Sequence, residues 1–138
     1  MGLNGLLEGL LHEEFSDISL YTGEAELFAD KLVGGNRIAG TFSAFAREEN
    51  EHALTLMKIA GKTGGIRGGE IAIGSSLRNC LERHAKREAL GVSLYNNLLN
   101  ILTAPEHKMM IKGIIAQETE HLRAVTEYLR KIRAANEE

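Results

Sequence analysis

The sequence contains one cysteine, Cys80, one proline, Pro105, and no tryptophan; three tyrosines and four phenylalanines make up the aromatics. A single cysteine excludes an internal disulfide, and the lack of any C-x-x-C pair excludes a thiolate metal site or a dithiol redox centre. Cys80 is therefore expected to be a small buried or half-buried residue on a helix. No uninterrupted apolar run is long enough to span a bilayer. The net charge of −3 gives no general attraction to nucleic acid or to an anionic membrane. The basic residues near the C-terminus (Arg123, Arg130, Lys131, Arg133) alternate with glutamates, as on a solvated helix face. Neither nucleic acid nor membrane is an expected partner. The first residues, "MGLNGLLEGLLHEEF", are apolar at helical spacing, have no basic leader and carry acids, so a signal peptide is not expected and the location is read as cytoplasmic.

What remains is a chain of 138 residues, 43% hydrophobic and 25% charged, suited to one globular domain over 1–138. Leu, Ala, Glu, Lys and Arg dominate, the composition of long helices. Apolar residues recur in steps of three and four along four segments. The stripes are 7, 11, 14, 18, 21, 25, 28, 32; then 38, 42, 45, 49, 52, 56, 59; then 77, 81, 84, 88, 92, 95, 99, 102; and 111, 114, 118, 121, 125, 128, 132. Each defines one inward helix face of the kind that packs in bundles.

The breaks agree with four helices. "GGN" at 34–36 suits a glycine C-cap followed by Asn36 as N-cap. "TAPE" at 103–106 resembles a capping box, with Thr103 as cap, Glu106 three residues on and Pro105 in the first turn. Between the second and third segments lies a glycine-rich connector, 61–76, closed by serines that can cap the third helix. The two short turns predict antiparallel hairpins. A helix of about 26 residues spans roughly 39 Å, and about 13 extended residues reach roughly 43 Å. The connector can thus run the length of a bundle, and Ile71, Ala72 and Ile73 suggest that it packs on the way. The expected fold is all-α, a four-helix bundle of two antiparallel hairpins joined by a long crossover.

Each stripe is interrupted near its middle by polar residues. The first helix places Glu14 there and the third Glu88. The second places Glu49 and His52, and the fourth Glu118 and His121; both pairs read E-x-x-H, "ENEH" and "ETEH", which points the two side chains to nearly one side. The halves repeat: Tyr21 follows Glu14 by seven residues and Tyr95 follows Glu88 by seven, so a pseudo-two-fold site is predicted. Glu13, Glu48, Glu51 and Glu120 fall off the stripes and are expected to be solvated. Four core carboxylates cost several kcal/mol each unless protonated or paired, and no Lys or Arg lies on the stripes. Two divalent cations balance the four charges, with His52 and His121 as neutral imidazoles. One Glu from each of two helices with Glu-x-x-His from each of the other two is the dinuclear iron or manganese carboxylate constellation.

On these residues, over nearly the whole chain, the sequence resembles the ferritin-like superfamily of di-iron proteins, and most closely the di-iron domain of rubrerythrin. The resemblance implies two iron ions, with manganese or zinc as substitutes. It implies Glu49 and Glu118 as bridging ligands, Glu14 and Glu88 as terminal ligands, and His52 and His121 each capping one metal, these six forming the redox centre. It implies reaction with O2 or H2O2, a rubrerythrin-like peroxidase or oxidase. The alternatives are a non-enzymatic iron-binding, ferroxidase, storage or delivery protein, and a plain structural bundle. A homodimer is expected. The sequence departs from the rubrerythrin pattern in two respects. A carboxylate usual one turn after the third-helix ligand is replaced by Gly91; Asp17 is its counterpart in the first hairpin, and a solvent-facing Asp17 is the expectation. The four cysteines of a rubredoxin domain are absent, so an external rubredoxin-type electron donor is expected. His84 is expected to be a core histidine bonded to a neighbour, and Tyr21 and Tyr95 to hydrogen-bond ligand carboxylates.

Overall fold

The computed structural model describes residues 2–31, 35–61, 68–69, 71–74 and 76–137. Its elements are α1 (Leu3–Lys31), α2 (Gly35–Ala60), α3 (Leu77–Ile101) and α4 (Pro105–Glu137). The chain divides into two compact units, Met1–Ile73 and Gly74–Glu138. Each contains one helical hairpin.

In the first unit, α1 and α2 pack antiparallel. Their interface is built on rings: Tyr21 lies 5.3 Å from Phe42 and 5.5 Å, edge-on, from Phe45, and Phe28 lies 6.4 Å from Phe42. Leu7, Leu11, Tyr21, Ala25 and Phe28 of the α1 stripe are buried, as are Phe42, Phe45 and Leu56 of the α2 stripe. Ile18, Ile38 and Ile59 are half-buried. Position 32 and the glycine at 34 lie outside the described residues. Asn36 is not the N-cap, because α2 already begins at Gly35. At the other end, Gly61 has φ +70° and donates its N–H to Lys58 O at 3.3 Å. That left-handed residue closes the helix, a conformation that glycine adopts without penalty.

The connector returns along α1. Ser16 Oγ donates to His12 O at 2.8 Å and accepts from Gly69 N at 2.7 Å. A Cβ on Gly68 would stand 2.5 Å from Ser16 N and 2.6 Å from Phe15 C, so the connector's backbone lies directly on that of α1, where only glycine fits. Further on, Ile73 Cδ1 comes within 3.3 Å of where a Cβ on Gly23 would be. The path from Ser16 to Gly23 follows α1's own direction. Of the three apolar residues expected to pack, Ile73 approaches Gly23 but stays 39% exposed, Ala72 is exposed and Ile71 is half-buried.

In the second unit, α3 and α4 form the other hairpin. Ser76 caps α3, its hydroxyl accepting from Asn79 N at 3.0 Å, as the closing serines suggested. α3 stops where Leu102 turns extended while its N–H still donates to Leu98 O at 3.0 Å. The expected capping box is displaced: Pro105 is the first residue of α4, and Ala104, not Thr103, flanks it, its carbonyl accepting from Lys108 N at 3.1 Å. Proline at that first position is favoured because its missing N–H has no partner to lose. Leu81, Tyr95, Leu102, Ile111, Ile114 and Val125 are buried on the predicted stripes, and Leu77, Val92, Leu99, Tyr128 and Ile132 are half-buried. On the exposed side of α4, Arg123 pairs with Glu120 at 2.9 Å and Arg130 with Glu127 at 2.6 Å. The C-terminal basic residues thus face solvent among glutamates. Among the described residues, no helix is long and apolar enough to cross a membrane.

Candidate metal centre

In the first hairpin, Glu14 on α1 meets Glu49 and His52 on α2. His52 Nδ1 lies 3.6 Å from Glu14 Oε2 and 3.9 Å from Glu49 Oε2. One ligand atom from each of the three lies within 4.8 Å of the others. All are buried, Glu49 completely. The register follows from helix lengths: Glu14 stands seventeen residues before Lys31 and His52 seventeen after Gly35, so they share a level, and Glu49 is one turn away on the same face.

The second hairpin repeats the arrangement. His121 Nδ1 lies 3.6 Å from Glu88 Oε1. Glu88, Glu118 and His121 again present ligand atoms within 4.8 Å of one another, all buried. Here Glu118 is level with Glu88: each stands thirteen residues from its end of the turn, at Pro105 and Ile101. Burial pushes the Glu88 carboxyl up from 4.5 to about 7; the neighbouring Glu118 carboxyl adds to the rise, and His121 opposes it.

Both trios fit a divalent cation. Separations of 3.6 and 3.9 Å are too long for hydrogen bonds. Two donors each about 2.1 Å from one ion stand at most about 4.2 Å apart, which accommodates these distances. Among the described residues no lysine or arginine is buried, whereas Glu14, Asp17, Glu24, Glu49, Glu88 and Glu118 are. Carboxylates so placed take up protons or gather cations, and the raised Glu88 is the first of these responses. Two carboxylates and one imidazole per trio suit iron or manganese.

Other expectations divide. Glu51 and Glu120 are exposed, whereas Glu13 and Glu48 are half-buried. His84 is fully buried one turn before Glu88, and Tyr21, Tyr95 and Cys80 are fully buried. Asp17 does not face solvent: it is buried, 8% exposed. Glu24, fully buried, was not anticipated at all. Both lie with Leu10 on a heptad line, 10–17–24, beside the stripe. α1 therefore buries a wider arc than the one stripe predicted. The signal was present in Leu6, Leu10 and Leu20, apolar residues on the same side of α1 as Asp17 and Glu24 and all buried.

No protein-family profile matches the chain. No curated protein matches it in sequence. Solved structures do match in fold. The four helices form a ferritin-like four-helix bundle, all-α, as the sequence predicted. Mycobacterium tuberculosis bacterioferritin, BfrA, aligns over 96% of this chain and 86% of its own, at 19% identity and a TM-score of 0.83. A ferritin-like diiron-carboxylate protein from Bacillus anthracis str. Ames aligns over 92% of this chain and 94% of its own, at 22% identity and a TM-score of 0.80.

Proposed function

We propose that the chain binds a dinuclear non-haem iron centre and carries out redox chemistry with O2 or H2O2, as a rubrerythrin-like peroxidase or oxidase. The observation that carries this is the buried Glu–Glu–His trio in each hairpin, spaced for a cation and with no buried lysine or arginine among the described residues. On this proposal the hairpins make one domain over 1–138, and Glu14, Glu49, His52, Glu88, Glu118 and His121 close around two ions. Glu49 and Glu118 would be shared between the ions, Glu14 and Glu88 would each serve one ion, and each histidine would complete the ligand set of one. Two ferrous ions, when bound, supply the two electrons that reduce peroxide to water.

The chain's own groups position and shield. Each histidine is fixed beside its terminal glutamate, and the fully buried Tyr21 and Tyr95 lie seven residues beyond those glutamates on the same helix faces. Glu88 holds a proton below about pH 7 and releases it when a cation takes the proton's place. Electrons return from a rubredoxin-type donor, and the protein works as a cytoplasmic homodimer.

A second reading, iron oxidation coupled to storage or delivery, draws on the fold shared with M. tuberculosis bacterioferritin. Light scattering with peroxide-turnover assays separates the two. A dimer that turns over peroxide through a rubredoxin-type donor supports the enzyme; a large shell holding many irons per chain sinks it. Metal content tests both together. Glu49→Ala and Glu118→Ala should each lose bound iron, and iron-replete wild type that binds none refutes the centre.

A further inference from the structure

Gly91 stands on the inward face of α3, three residues after Glu88, four before Tyr95 and seven before Leu98. Those three are sealed from solvent, at 2%, 0% and 0% exposed, yet Gly91 among them is partly open. A Cβ built there would lie 3.6 Å from Glu118 Oε2 and 3.9 Å from its Cδ, with no closer atom. Those are ordinary contact distances, so alanine fits. Glycine in a helix interior loses more backbone entropy on folding than alanine does. The other helical glycines with open surroundings, Gly9, Gly40 and Gly113, are on exposed faces. Gly91 alone of these four borders a carboxylate of the candidate centre. Its missing side chain leaves the space of at least one carbon between the part-exposed backbone at 91 and Glu118.

We propose that Gly91 is the port by which a small exogenous ligand, two or three heavy atoms of the peroxide or azide class, reaches the metal position beside Glu118. This rests on the dinuclear centre proposed above. Such a ligand enters that space because no side chain stands at 91, and any larger residue there would occupy it. Position 91 thereby sets the size of ligand admitted without itself being a ligand.

The test uses the full chain loaded with Co2+, whose visible absorption reports coordination, and azide as the probe. Wild type, Gly91→Ala and Gly91→Leu are titrated with Co2+ and then with azide. The expected result is two Co2+ per chain in all three. Azide should perturb the wild-type spectrum, bind about tenfold or more weakly to Gly91→Ala, and leave Gly91→Leu unchanged. Equal azide affinity in the cobalt-loaded variants overturns the port and leaves the centre standing. Loss of cobalt in Gly91→Ala also overturns it, since the glycine would then serve ligand placement. Wild type that takes up no cobalt overturns the centre and the port together. If Gly91→Leu loses its helical circular dichroism, Gly91→Ala decides alone.

Discussion

The Glu88 carboxyl makes the metal-free protein sensitive to pH in a direction opposite to ordinary acid denaturation. Its ordinary value of 4.5 is raised to about 7 by burial first and by Glu118 second. The folded state therefore binds this proton more tightly than the unfolded chain does. The stability it contributes is fully present below pH 4.5 and is lost as pH rises through about 7. A rise of this size corresponds to about 3 kcal/mol between those limits. Urea unfolding of chelator-treated protein at pH 5, 6, 7 and 8 measures it. Wild type should lose stability across that range relative to Glu88→Gln, which keeps the shape but cannot ionise. Adding a divalent cation at pH 8 should restore wild type and not the glutamine variant. Parallel pH profiles for wild type and Glu88→Gln would refute the assignment of a protonated carboxyl to this position.

Other outcomes follow from the packing. Gly68→Ala places a methyl against the backbone of Phe15 and Ser16 and should destabilise by about 1–3 kcal/mol in thermal unfolding. Ser16→Ala removes the hydroxyl that accepts from Gly69 N and should cost about 1 kcal/mol, with increased proteolysis in the connector as a second readout. Ser76→Ala removes the α3 cap and should cost about 1 kcal/mol in urea unfolding, without changing metal content.

Much of this was legible in the sequence because a helix repeats its faces with a fixed period. Glu49 and His52, three residues apart among Phe42, Phe45 and Leu56, could be placed inside before any coordinates, and so could Glu118 and His121. The serine cap of α3 was legible for the same local reason. Asp17 and Glu24 were not. They lie beside the stripe rather than on it, and their burial depends on what covers that side of α1, which the period of the stripe alone does not reveal. The start of α4 was misplaced by one residue, because Thr103 and Glu106 carry the pattern of a cap whereas the fixed φ of Pro105 sets the first helical position. The registers of the two hairpins differ for a third reason. Which member of each Glu-x-x-His pair stands level with its glutamate depends on how many helical residues separate the site from its turn, and these lengths pair Glu14 with His52 but Glu88 with Glu118.

Anomalous scattering at the iron edge from crystals of iron-loaded protein tests the dinuclear centre. Two peaks per chain are expected, one at the trio of Glu14, Glu49 and His52 and one at the trio of Glu88, Glu118 and His121. Iron-loaded crystals with no peak at either trio would contradict it.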